Sequence, residues 1–214
     1  MSNDLVTIIG DSYFEPICTL LERLECFKED RSDAQSGFHV NGYSASICLL
    51  AVACLESYVM RVRAVHNASQ GDIDRAKISV YLKKIYPDFP YGDEVREIYI
   101  LRDVIIHNHL WEVKFNWNDE CISVVDANKR SSGNGGYATH VDTLGRKTKT
   151  LGLTVNPIKV GKAEVHKVLQ VMWKVLIFLE NKDSNQCYVS ASHYQYKRKM
   201  VRFSYVVGLP ETAT

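Results

Sequence analysis

The chain has 214 residues, 46% of them hydrophobic and 24% charged, an ordinary globular composition with enough apolar material for one sizeable core. A formal net charge of +1 excludes attraction of the whole molecule to polyanions, so any nucleic-acid contact has to come from local patches. The six cysteines, Cys18, Cys26, Cys48, Cys54, Cys121 and Cys187, form no C-x-x-C pair, and the histidines show no zinc spacing. Buried free thiols in a reducing cytoplasm fit this better than a disulfide framework.

The first residues, MSNDLVTIIGD, lack a basic stretch followed by an apolar one, so no signal peptide is expected. Asp11-Ser12 suits the cap of a first helix running to about Arg31, with Ile17, Leu20, Leu21, Leu24 and Phe27 at helical spacing. Pro16 falls in its opening turns and argues for a late start or a kink. After the loop SDAQSG, a second helix is expected from about residues 41–44 to His66. Its run ASICLLAVACL is apolar on nearly all sides, which marks a central, buried helix, and is too short to span a bilayer. Glu56 inside it either pairs with Arg61, Arg63 or Arg102 or points to water.

Asp72 is read as the cap of one third helix through Tyr86, whose Arg75, Lys77, Lys83 and Lys84 suit a solvated face. PDFPYG is a firm break, and Asp93 then caps a helix from Glu94 to about Trp111. Glu94 and Glu97 lie toward its N-terminal end, where carboxylates suit the helix dipole.

From Val113 the period changes to two: Val113–Trp117 and Cys121–Val125 read as a hairpin. Residues 126–150 read as a long loop. Its Lys129, Arg130, Arg146, Lys147 and Lys149, with Tyr137 and His140 among them, either track a phosphate backbone or are simply solvated. Leu151–Val155 offers a third strand, and Gly161 to about Asn181 is a helix with a broad apolar face. In the tail, Lys197, Arg198 and Lys199 interleave with Tyr194, Tyr196 and Tyr205. That pattern suits RNA, whose bases stack on rings while cations meet phosphates, and equally a strand pairing with the hairpin.

The segment with the most chemistry is LRDVIIHNHLWE, residues 101–112. At about 100° per residue, Asp103 and His107 share one helix face, and Arg102 and His109 share the neighbouring stripe. Arg offers a flat fork of donors suited to phosphate, and His gives and takes protons at neutral pH. A carboxylate one turn away orients an imidazole or the guanidinium. A solvated polar face with an incidental histidine has the same spacing.

Arg102-Asp103 followed by His107 resembles the signature of the HEPN superfamily, an Arg, a polar residue and then a His four to six residues beyond the Arg. Four residues separate Arg102 from His107 and six separate it from His109. Some members carry a Tyr two positions after the His, where this chain has His109. The resemblance covers about residues 10–112 and 160–182. It implies a mainly all-α fold, an antiparallel bundle of four to five helices, with a small β insertion at about 113–156 and a basic, aromatic tail at about 186–214, all in one domain. It further implies a metal-independent, cofactor-free endoribonuclease acting as a toxin or in antiviral defence. Arg102, Asp103, His107 and His109 are its catalytic candidates; the basic pattern of the 126–150 segment and of the tail separately offers Lys129, Arg130, Arg146, Lys147, Lys197, Arg198 and Lys199 as RNA-binding candidates. The partners the resemblance implies are RNA, a second copy completing the active site at a homodimer interface, and an antitoxin or regulatory protein; no membrane is expected. The alternative is a HEPN-like module that binds nucleotide, RNA or protein without chemistry.

Overall fold

Helical segments dominate the computed structural model of the chain, which describes residues 9–29, 35–74, 76–107, 111–117, 122–129, 135–142, 144, 146–184 and 187–210. The described residues form eight α-helices and three two-stranded antiparallel sheets, a mainly helical fold. A 3-10 turn over Gly10–Tyr13 leads into α1, Phe14–Glu25. Pro16 is the third residue of α1, where its missing N–H has no helical partner to lose. The helix stops short of Arg31 because Cys26 and Phe27 close tighter turns onto the carbonyls of Arg23 and Leu24, each at 3.2 Å.

α2 spans Phe38–Val65 and contains the run read as central, with Ile47, Ala51, Cys54, Leu55 and Val59 fully buried. The uncharged run is short, but the whole helix is long and apolar enough to cross a membrane by length and composition. Half of that apolar window is buried inside the fold.

The single third helix expected from Asp72 is two short ones, α3, Gln70–Asp74, and α4, Ile78–Ile85. The cap of α3 is Ser69, whose Oγ accepts from Asp72 N–H at 3.2 Å. Asp72 instead takes Lys84 Nζ at 2.8 Å, and that ammonium and Ser69 hold its carboxyl below the usual range. The break between the helices is set by Arg63, whose guanidinium donates to the carbonyls of Ile73 (3.3 Å) and Ala76 (2.6 Å) and lies over the Tyr81 ring. Carbonyls turned to a buried cation are unavailable to continue a helix.

α5 covers Gly92–Ile106. The expected hairpin follows as β1, Trp111–Trp117, and β2, Ile122–Lys129, with an irregularity between Lys114 and Phe115. Residues 126–150, read as a loop, carry more structure: the end of β2, then α6, Gly135–His140, and the small hairpin of β3, Val141–Asp142, with β4, Lys147–Thr148. The third strand expected at Leu151–Val155 amounts to one bridge, Thr154 to Lys147. α7, Lys162–Lys182, is the last long helix. The tail forms a hairpin with itself, β5, His193–Tyr196, and β6, Lys199–Arg202, rather than pairing with β1–β2, and ends in α8, Phe203–Val206. A two-residue turn brings β5 and β6 together at little entropic cost, so local pairing prevails over the distant partner.

The chain divides into two compact units, one of Met1–Thr19, Leu50–Val95 and Leu169–Thr214, the other of Leu20–Leu49 and Arg96–Val168. The first is built on rings. Phe14 stacks on Tyr194 at 4.8 Å and meets Phe203 edge-on at 4.7 Å, while Phe178 packs edge-on against Phe89 and Tyr86. The Glu180 carboxylate pins the segment after α7 by accepting from Val189 N, Ser190 N and Ser190 Oγ at 3.0, 2.9 and 2.6 Å. Gly10 lies against α2 so closely that a Cβ there would meet Tyr58 ring carbons at 2.7 Å. Gly10→Ala is therefore expected to cost about 1–3 kcal/mol through overpacking, read as a lowered Tm. An unchanged Tm would mean that the Tyr58 ring moves aside freely.

In the second unit, Asn41 Nδ2 donates to the carbonyls of Pro157 (2.7 Å) and Val160 (3.1 Å). The Glu164 carboxylate reaches back to Gly161 N–H at 3.0 Å, the side-chain half of a capping box that starts α7. Cys18, Cys48, Cys54 and Cys187 are buried free thiols, Cys26 is exposed, and Cys121 lies outside the described residues. Burial and then the neighbouring Glu180 carboxylate push the Cys187 thiol up to about 12, which keeps it protonated and unreactive.

Candidate active site

α5 presents a buried stripe, Val95, Ile98, Leu101 and Val104, at intervals of three residues. That spacing turns the neighbouring positions outward, and Arg102 and Asp103 occupy them at the last turns of the helix. The helix ends at Ile106, earlier than the Trp111 expected from pattern alone. Val104-Ile105-Ile106 is a branched run with weak helix preference, and the extended strand β1 takes over at Trp111. His107 nonetheless keeps the helical register, since its backbone N–H donates to Asp103 O at 3.0 Å. It therefore stands one turn beyond Asp103 and is exposed.

The Arg102 guanidinium has two neighbours on its own helix. Its Nε lies 3.0 Å from Asp103 Oδ1, and its Cζ lies 5.0 Å from the centre of the Tyr99 ring. The two charged side chains keep 32% and 46% of their exposure, so the pair is reachable from solvent. Ring and carboxylate together restrict the long side chain, which leaves less freedom to lose when the fork engages an anion. Of the two roles open to Asp103, orienting the imidazole or holding the guanidinium, the carboxylate stands at the guanidinium. His109 lies outside the described residues.

Glu97 lies toward the N-terminal end of α5, as pattern reading places it, and it faces inward there. Its carboxylate is completely buried, with Oε1 accepting from Thr150 N and Oε2 from Leu151 N, both at 2.7 Å. The sequence does carry a signal for this: Glu97 is four residues before Leu101 and seven before Val104, on the apolar stripe itself. A charge in that stripe has to meet donors inside the protein. The consequence is mechanical. The turn after β4 is tied to α5, and Val104 packs with Val141 and Val155, flanked by Ile100 and Tyr137. Lys149 completes the tie, its N–H on His140 O at 2.9 Å and its Nζ on Thr139 O at 2.7 Å.

The basic candidates thus fall into separate groups. Arg146, half-buried with φ 54°, and Lys147, exposed, sit on the β3–β4 hairpin fastened to the motif helix. Lys129 ends β2, and Arg130 lies outside the described residues. Lys197, Arg198 and Lys199 are exposed at the β5–β6 turn, in the other unit. Among the described residues no three His, Cys, Asp or Glu side chains converge to hold a metal ion. The end of α5 offers a restrained, accessible guanidinium and an exposed imidazole one turn further on, elements suited to gripping a phosphate and moving a proton. Comparison of the chain with protein-family models, with curated proteins and with solved structures found no match.

Proposed function

We propose that this chain is a metal-independent endoribonuclease of HEPN type, a cytoplasmic toxin or defence effector whose active site is the end of α5. The observation that carries the reading is the accessible Arg102 beside Asp103 with His107 one helical turn on. In the mechanism, an imidazole, His107 first, takes the proton from a ribose 2′-hydroxyl. The 2′-oxygen attacks the adjacent phosphorus, the bond to the 5′-oxygen breaks, and that oxygen receives a proton. Arg102 stabilises the charge that builds on the phosphoryl oxygens, and Asp103 holds Arg102 in place. His109 is the second proton carrier or a substrate contact. Two copies related by a twofold axis would each supply part of the site, one the base and the other the acid. In this reading the long helices form the antiparallel four- to five-helix bundle that the HEPN resemblance implies, and an antitoxin or other regulator restrains the activity.

The test is RNA digestion by purified protein in excess chelator, with the product ends identified. The expected products carry 2′,3′-cyclic phosphate and 5′-hydroxyl ends, and His107→Ala combined with His109→Ala stops their formation. Undiminished cutting by that double variant would dismiss the assignment.

One observation favours a second reading, a HEPN-like module that holds a nucleotide or RNA phosphate without cleaving it. Asp103 stands at Arg102, so within one chain the His107 imidazole is not oriented by it. RNA left intact by the wild type, but bound through Arg102, would select this reading.

A further inference from the structure

The β5–β6 turn is built from residues that its backbone does not favour. Tyr196 pairs with Lys199, which leaves a two-residue loop of Lys197 and Arg198. Both are in the left-handed region, at φ 51° and 63°. This is the signature of a type I′ turn, for which Asn-Gly is the preferred pair because Gly has no Cβ to strain and the short Asn side chain bonds locally, whereas long side chains gain neither relief. Here the two strained positions carry long cations, and Lys199 follows as a third. All three are exposed, and Lys197 Nζ lies 5.1 Å over the Tyr196 ring.

The charge around this turn is one-sided. From Cys187 to Pro210 the chain has four cations, Lys197, Arg198, Lys199 and Arg202, and no carboxylate, although the whole chain is almost balanced at 26 to 25. Asp11 and Glu15, from the start of the chain, meet the hairpin on β5. Asp11 accepts from Tyr194 Oη at 2.9 Å, and Glu15 accepts from Gln195 N at 2.9 Å. Met200, next to Lys199 in the chain, is 63% exposed, apolar surface on which a base can rest.

Backbone strain kept at an exposed turn, where any Asn-Gly pair would relieve it, points to a role for the side chains that impose it. We propose that the β5–β6 tip is a phosphate-backbone contact for single-stranded nucleic acid, reached through Lys197, Arg198 and Lys199. The inference rests on the reading of this protein as one that acts on RNA, and it assigns the tip to grip rather than to chemistry.

The test uses the full chain carrying His107→Ala and His109→Ala, so that binding is measured without cleavage while Arg102 still meets phosphate. Fluorescence anisotropy of a labelled single-stranded RNA, and of DNA of the same sequence, is followed over a range of salt. The variant Lys197→Asn with Arg198→Gly removes two cations and installs the pair that the turn prefers. It is expected to keep or raise Tm while binding both strands roughly tenfold more weakly, with the salt slope reduced by about 1.4, near 0.7 for each lost phosphate contact. A second variant, Lys197→Gln with Arg198→Gln, removes the charge but leaves the backbone demand, and is expected to show the same loss of binding. Affinity and salt slope equal to the parent in both variants would overturn the proposal. So would a loss confined to anionic phospholipid vesicles with RNA and DNA binding intact. The RNA-cleavage reading is scored separately: failure of chelated wild type to cut RNA defeats that reading and leaves the binding measurement standing.

Discussion

Arg102→Ala is expected to lower the rate of RNA cleavage by about 10²–10³-fold, the usual consequence of removing one preorganised donor from a developing oxyanion. The same change should leave the fold nearly intact. Among the contacts of Arg102 are an ion pair to Asp103, the two side chains 32% and 46% exposed, and a contact with the Tyr99 ring. Each is worth about 1 kcal/mol or less, so Tm should move by only a few degrees. Arg102→Lys separates charge from shape, because an ammonium keeps the charge and lacks the flat fork. It should recover only part of the lost rate. The measurement is initial cleavage rate of a defined RNA in excess chelator beside a thermal melt. An Arg102→Ala protein with the wild-type rate would remove the guanidinium, and with it the end of α5, from the reaction.

Glu97→Gln is expected to lose about 2–3 kcal/mol of stability. Its carboxylate is completely buried and satisfies two backbone N–H groups at 2.7 Å, Thr150 and Leu151. An amide keeps one oxygen and turns an NH₂ group toward the second donor, so one N–H loses its acceptor and two donors face each other beside the buried side chain. For a chain of this size that corresponds to a fall in Tm of about 4–12 °C. Amide exchange at Thr150 and Leu151 should accelerate well beyond that of the neighbouring helix, because these two groups report the tie directly. Glu97→Ala should be worse, since it leaves both donors without a partner and opens a cavity. Unchanged exchange at Thr150 and Leu151 in the Gln variant would mean that the carboxylate is not what holds the turn. Since the same turn follows β4, an intact Glu97 is also a condition for the β3–β4 hairpin, with Lys147, to stay fastened to α5.

Much of the helical content was legible because it rests on periodicity. Helices read at 11–31, 41–66, 94–111 and 161–181 are present as α1, α2, α5 and α7 with displaced ends. The displacements have local causes: tighter turns closing α1, a branched run and a competing strand ending α5. The strand pair after the motif helix was likewise announced by its alternation. By contrast, α3 and α4 looked like one helix, because nothing in Asp72–Tyr86 says that Arg63, nine residues earlier than Asp72, will claim two of the carbonyls. The segment 126–150 looked structureless because its order comes from Glu97 and Val104, not from its own polar, glycine-rich sequence.

By itself the sequence determined the residue types at the candidate site and their order along one helix. Arg102, Asp103 and His107 follow from covalent spacing and about 3.6 residues per turn, and neither needs a tertiary contact. Only the tertiary structure decided that Asp103 sits at the guanidinium, that Glu97 is an internal anchor rather than a surface charge, and that the tail folds on itself with two cations in left-handed conformations. The physical reason is that a carboxylate or a turn is specified by which donors surround it, and those donors arrive from segments far away in the chain.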